Sequence, residues 1–127
     1  MLKLDTEIQK KVKSWIEGNY DQETKRILKS RLGNQEFEEL TDAFYKDLEF
    51  GTGGLRGIMG PGTNRINRYT IGMATQGLCN YLKRTYATQK ISVAIAHDSR
   101  NNSDFLAEIT ADVFSANNIF VYFFREL

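Results

Sequence analysis

Residues 91–96 read Ile91-Ser92-Val93-Ala94-Ile95-Ala96, and residues 119–124 read Ile119-Phe120-Val121-Tyr122-Phe123-Phe124. Both runs are short, β-branched or aromatic, and almost wholly apolar, as strands buried on two faces should be. Between them Phe105, Leu106, Ile109, Val113 and Phe114 recur at helical spacing. Asn102 or Ser103 is placed to cap that helix, and Asn117-Asn118 can supply a left-handed residue at its end. A strand, a helix and a second strand joined by a crossover of this length imply parallel pairing and a right-handed connection. The fold class expected is therefore α/β.

Working back along the chain, Ile71, Ala74, Leu78, Tyr81 and Leu82 predict a helix from Arg68 to Tyr86, with Cys79 at the edge of its apolar stripe as core filler. Tyr45 to Phe50 reads as a short strand with Leu48 and Phe50 on one face. The first fifty residues read as amphipathic helices. Asp5 or Thr6 caps the first, with Thr6 and Gln9 at capping-box spacing, Leu4, Ile8, Val12, Trp15 and Ile16 on one face, and Gly18 as its stop. Asp21 caps the second, which carries Ile27, Leu28 and Leu32 and stops at Gly33; a third from Asn34 aligns Phe37, Leu40 and Phe44. Glu36, Glu38 and Glu39 are expected on a solvated face.

Composition narrows the function classes. A chain of 127 residues with a formal charge of +1 is no general binder of nucleic acid or anionic membrane. The first fifty residues carry nine Lys/Arg against eleven Asp/Glu and the rest eight against five, so the basic excess lies downstream. One cysteine cannot form an internal disulfide, no apolar run approaches a membrane span, and no signal region opens the sequence. A reducing, cytoplasmic setting is expected.

The chemistry concentrates in Phe50-Gly51-Thr52-Gly53-Gly54-Leu55-Arg56-Gly57. Four glycines let backbone N–H groups approach a ligand and turn toward one anion. Arg56 adds a permanently charged donor fork suited to phosphate. The residues alone leave two readings open, an oxyanion nest and a glycine-rich turn with a solvated arginine. Gly60-Pro61-Gly62 then marks a tight turn, and Arg65 and Arg68 read as ordinary surface charges.

Other chemistries fall away. From Gly51 the third position of a dinucleotide fingerprint is Arg56, and no G-K-[S/T] follows for a Walker loop. One histidine and one cysteine make no zinc site. His97, Asp98 and Ser99 are neighbours on an extended chain and point to alternate sides, so they form no triad. They do lie at the carboxyl end of a strand, where open α/β sheets place ligands. Asp98 and Arg100, two apart, read equally as an ion pair or as ligand-facing groups.

The glycine stretch, Gly60-Pro61-Gly62, the helix containing Thr75-Gln76-Gly77, and Ala94-Ile95-Ala96-His97-Asp98-Ser99-Arg100-Asn101-Asn102-Ser103 together resemble the first domain of the α-D-phosphohexomutases, within the phosphoglucomutase/phosphomannomutase branch with a helical N-terminal extension. The similarity covers roughly residues 40–127; residues 1–39 match in kind only. The resemblance implies a three-layer α/β/α domain with a mixed, largely parallel sheet over residues 45–127, preceded by a helical extension, residues 1–44, packed on it. It also implies reversible transfer of phosphate between the 1- and 6-positions of a hexose through a phosphoserine enzyme and a hexose bisphosphate, with magnesium. Thr52 and Arg56 match cleft-lining positions, Gly51, Gly53 and Gly54 surround the phosphate, and Asp98 and Arg100 shape the site. No role passes to His97, and no metal ligand lies in this sequence.

The resemblance also sets an expectation about what is missing. Such enzymes carry the phosphoserine in a T-A-S-H-N-P segment beyond the strand at Ile119–Phe124, and the sequence ends at Arg125-Glu126-Leu127 before it. The remaining domains would be partners, a hexose phosphate the substrate, and the 127 residues alone inactive. The alternative is a self-standing phosphate-binding or interaction module, whose incomplete sheet edge would invite self-association. The preference among glucose, mannose and pentose phosphates is not written in these residues.

Overall fold

The computed structural model describes residues 3–51, 54–55, 57–97 and 103–124, without the side chains of residues 50, 51, 54 and 55. Two compact units divide the chain, Met1–Asn67 and Arg68–Leu127.

In the first unit, helix α1 spans Thr6–Glu17, α2 Gln22–Gly33 and α3 Phe37–Phe44. Asp5, not Thr6, caps α1: its carboxylate accepts from the N–H of Glu7 at 2.9 Å and of Ile8 at 3.4 Å. Asp21 caps α2, accepting from Thr24 N–H at 3.0 Å and Thr24 Oγ1 at 2.6 Å. The stops differ from expectation. Gly18 follows α1 in an extended conformation, and its need for glycine is steric, since a Cβ would lie 2.6 Å from the Ser14 carbonyl oxygen. Gly33 remains inside α2, and the left-handed residue is Gln35 at φ 56°. The three helices close over Val12, Leu28, Leu40 and Phe44, all fully buried, each stabilising by roughly 1.5–3 kcal/mol through burial. Trp15 meets Phe44 edge-on at 5.4 Å and stacks on Tyr20 at 4.2 Å.

The strand expected over Tyr45–Phe50 contracts to its last residue. Strand β1 is Phe50–Gly51, and it pairs antiparallel with β2, Gly54–Leu55, in the register Phe50↔Leu55 and Gly51↔Gly54. Residues 45–48 instead turn along the end of α3: Leu48 N–H donates to Thr63 C=O at 2.9 Å, and the Thr63 hydroxyl to Lys46 C=O at 2.8 Å.

The second unit contains α4 Arg68–Thr85, β3 Ser92–Ala96, α5 Ser103–Ala116 and β4 Phe120–Phe124. Strands β3 and β4 are parallel as expected, with Ser92 opposite Phe120 and Ala96 opposite Phe124. Asn118, at φ 60°, supplies the left-handed turn after α5. The core is Cys79, Phe114 and Ile119, flanked by Leu82, Ile91, Val93, Ile95, Val113 and Val121. Two expectations change here. Helix α4 buries the face of Thr75 and Cys79, so Cys79 sits at the centre of the contact, while Leu78 and Tyr81 are exposed. The strands are covered on one face only: Ser92, Ala94 and Ala96 of β3 and Phe120, Tyr122 and Phe124 of β4 alternate outward. No helix among the described residues is long and apolar enough to cross a membrane.

Candidate functional site

The glycine stretch begins as a hairpin. Gly51 and Gly54 face each other across β1 and β2, so two of the glycines expected to surround a phosphate stand on adjacent paired strands. Thr52, Gly53 and Arg56 lie outside the described residues. After β2, Gly57 packs closely: a Cβ there would lie 2.8 Å from Leu48 Cδ1, the end of a side chain that would have to shift, and 3.4 Å from Ile66 Cγ1.

From Gly57 the chain folds back on itself without regular secondary structure, held by directional bonds. Ile66 N–H donates to Ile58 C=O at 2.8 Å and Gly60 N–H to Ile66 C=O at 3.1 Å, around a parallel bridge between Met59 and Ile66. The Asn67 side-chain amide donates to the carbonyls of Gly60 at 2.9 Å and Gly62 at 3.0 Å. Gly60 and Gly62 adopt φ values of 152° and 130°, open chiefly to glycine, and a Cβ on Gly62 would lie 2.5 Å from the Ala43 carbonyl oxygen. The turn expected at Gly60-Pro61-Gly62 is therefore present, seated against α3.

Arg65 is not the surface charge its sequence suggested. It is 2 % exposed, and its Nη2 reaches Glu39 Oε1 at 3.0 Å, Glu39 Oε2 at 3.1 Å and Asp42 Oδ2 at 2.7 Å. Its Nη1 donates to the carbonyls of Asn64 at 3.1 Å and Asp42 at 3.4 Å. Burial pulls the guanidinium's pKa down, but the hydrogen bonds to Asp42 and Glu39 and their charges outweigh it and hold it above its ordinary value. Glu39, expected on a solvated face, also lies 3.6 Å from Arg31 Nη1, a nitrogen that is buried without a hydrogen-bond partner among the described residues. Glu39 and Asp42 are one helical step apart, which places both carboxylates on the same side of α3. That i, i+3 pair was the available signal for a basic partner; nothing in the local pattern singled out Arg65. Arg68 is exposed, its guanidinium 6.0 Å from the Phe105 ring.

In the second unit, His97 directly follows β3, half-buried, with its ring 6.0 Å from that of Phe123. Asp98 and Arg100 lie outside the described residues. A groove of about 420 Å³ opens at the other end of the strands, between Lys83, Lys90, Asn117 and Phe120. It is at the amino ends of β3 and β4, opposite the end where open α/β sheets bind ligands. The described residues offer magnesium no ligand set: no group of three His, Cys, Asp or Glu could hold a metal ion, and Glu39 and Asp42 are engaged by Arg65.

The glycine stretch, the Gly60-Pro61-Gly62 turn and the parallel strand–helix–strand unit contain the stretches whose sequence resembles a phosphohexomutase first domain. Residues 47–127 match the family model described as phosphoglucomutase/phosphomannomutase, alpha/beta/alpha domain I. The chain belongs to the phosphoglucomutase/phosphomannomutase family. Its α/β/α class follows from that membership and from the helices and parallel strands above. Among curated relatives it is 32% identical over 125 residues to a probable phosphoribomutase of Schizosaccharomyces pombe, covering 98% of this chain and 21% of the relative. It is 32% identical over 130 residues to phosphopentomutase of Homo sapiens, covering 97% of this chain and 21% of that protein. A phosphomannomutase of Mycoplasmoides pirum is 39% identical over 101 residues, covering 78% of this chain and 18% of its own length. The first two alignments take in all but a few residues of this chain, α1–α3 included. This chain spans about a fifth of the length of these relatives. No solved structure matches it.

Proposed function

We propose that this chain supplies the first-domain share of a phosphosugar-mutase active site, in which the glycine hairpin and Arg56 receive the phosphoryl group in transit. One observation carries the reading: Gly51 and Gly54 are paired on a hairpin whose sequence continues into Arg56 and Gly57, within a chain of this family. Phosphoryl transfer asks the protein for positioning and charge neutralisation more than for covalent work, and backbone amides with a guanidinium provide both. In this reading Thr52 is a cleft-lining residue like Arg56, and Asp98 and Arg100 are site-shaping residues, as the resemblance implies. The nucleophilic phosphoserine, the magnesium site and the groups that select the sugar belong to other parts of the enzyme, with a hexose bisphosphate as intermediate and a cytoplasmic setting. The relatives' names span ribose, pentose and mannose phosphates, so the substrate class proposed is an aldose phosphate without choice of sugar.

The test is a calorimetric titration of the 127-residue chain with glucose 1-phosphate and ribose 1-phosphate, repeated with Arg56→Ala. Binding that Arg56→Ala weakens supports the reading; equal binding by both proteins contradicts it. Turnover of glucose 1-phosphate by the purified 127 residues would contradict the assignment of the nucleophile elsewhere.

A second reading, self-association without catalysis, draws on the outward row Phe120, Tyr122 and Phe124, which is 63%, 57% and 52% exposed. Sedimentation over a hundredfold concentration range decides it: a monomer throughout removes this reading.

A further inference from the structure

We infer that Arg65 is a positioning residue for the glycine hairpin, holding both of its stems to helix α3 through one buried ionic node. This rests on the phosphate reading of the hairpin and extends it to a residue that touches no phosphate.

Segment 63–67 grips the hairpin from two sides. On the entering stem, Leu48 N–H donates to Thr63 C=O at 2.9 Å. On the leaving stem, Ile66 N–H bonds Ile58 C=O at 2.8 Å, Gly60 N–H bonds Ile66 C=O at 3.1 Å, and Ile66 and Leu48 together close over Gly57. The same segment is fastened to α3: Asn64 N–H donates to Ala43 C=O at 2.9 Å, the Asn64 side chain to Asp42 C=O at 3.0 Å, and Arg65 spans Glu39 and Asp42. Arg65 is the one charged residue among the described buried ones. Its planar fork meets two carboxylates and two carbonyls at once, which fixes direction as well as distance, whereas an apolar side chain of that size would fix neither. Glycines bring no side chains of their own to pack, so the hairpin's place depends on what grips its stems. An active-site group displaced by about 1 Å loses on the order of a hundredfold in rate, which is the reason to hold such a hairpin from a rigid helix.

The experiment records amide spectra of the isotope-labelled 127-residue chain during titration with inorganic phosphate, for wild type, Arg65→Met, Arg65→Lys and Glu39→Gln. A positioning role predicts that folded Arg65→Met shifts the Gly51, Gly54 and Gly57 amides and binds phosphate at least about tenfold more weakly. Arg65→Lys, a point charge without the fork, should recover part of the affinity. Folded Arg65→Met with unmoved glycine amides and unchanged affinity overturns the proposal, since it leaves Arg65 a purely structural ion. If Arg65→Met does not fold, Glu39→Gln, which keeps Asp42 on the guanidinium, is read by the same two criteria. If wild type itself takes no phosphate, the phosphate reading fails separately; the amide shifts then decide the positioning claim alone, shifted in its favour and unshifted against it.

Discussion

Residues 57–67 and the elements β3, α5 and β4 are held in place by opposite means. The fold-back carries no regular secondary structure and is secured by named polar bonds, with Arg65 buried between Glu39 and Asp42 and the amides of Asn64 and Asn67 on backbone carbonyls. The strand–helix–strand unit is secured by an apolar core around Cys79, Phe114 and Ile119 and leaves the outer face of its strands open. A reciprocal amide pair, Gln76 of α4 with Asn117 at 2.8 and 3.1 Å, ties α4 to the end of α5. Apolar packing tolerates rearrangement as long as volume is kept, whereas a hydrogen-bonded fork does not. In the proposed function, the backbone that presents its amides to a phosphate is placed by the second kind of contact.

Substitutions in the two regions should have graded effects. The largest belongs to the apolar core: Phe114→Ala should cost about 3–5 kcal/mol, read as urea-dependent exposure of Cys79, the chain's one thiol. Arg65→Met should cost about 2–4 kcal/mol, below the full range for a broken buried pair because Glu39 and Asp42 are 39% and 56% exposed. Trp15, the single tryptophan, sits in that unit and reports its unfolding. A cost under about 0.5 kcal/mol would place Arg65 among ordinary surface residues and end the contrast. Tyr122→Thr on the open face should change stability by no more than about 0.5 kcal/mol.

The smallest effect is one of pH. Burial raises the Cys79 thiol above its ordinary value of 9.0. The unfolded chain then loses this proton at lower pH than the folded one, so the contribution is complete below about pH 9 and is lost as pH rises above it. Burial also raises Tyr20, from 10.0, so Tyr20 adds to the slope as pH nears 10 and the thiol is read from the difference between wild type and Cys79→Ala. Urea midpoints above about pH 9 should fall more steeply for wild type than for Cys79→Ala; equal slopes would contradict a buried thiol.

The sequence disclosed what repeats. Asp21 as a cap, the parallel pairing of β3 and β4, and an asparagine of the pair Asn117-Asn118 as the left-handed stop were readable, and Asp5 was one of the two caps open for α1, because each follows from local chemistry or a period. Three features were not. The apolar stripe of α4 at Leu78 and Tyr81 is exposed, since periodicity marks an apolar face without saying which neighbour meets it. The two-faced burial expected of β3 and β4 is one-faced, as hydrophobicity reports the capacity for burial and not the cover. Arg65 bonds residues 23 and 26 positions away, a separation that no local pattern encodes. The family was legible from motif spacing, while the fork of Arg65 on Glu39 and Asp42 was legible only in three dimensions.

The claim that one buried arginine holds the hairpin's stems is tested most directly by native-state hydrogen exchange at four amides, those of Leu48, Gly60, Asn64 and Ile66. If segment 63–67 is a single clamp, the four should open together in wild type and lose protection by a common amount in Arg65→Met. Exchange at four unrelated rates, or protection at Gly60 and Ile66 that survives the substitution, would show the stems to be held without Arg65.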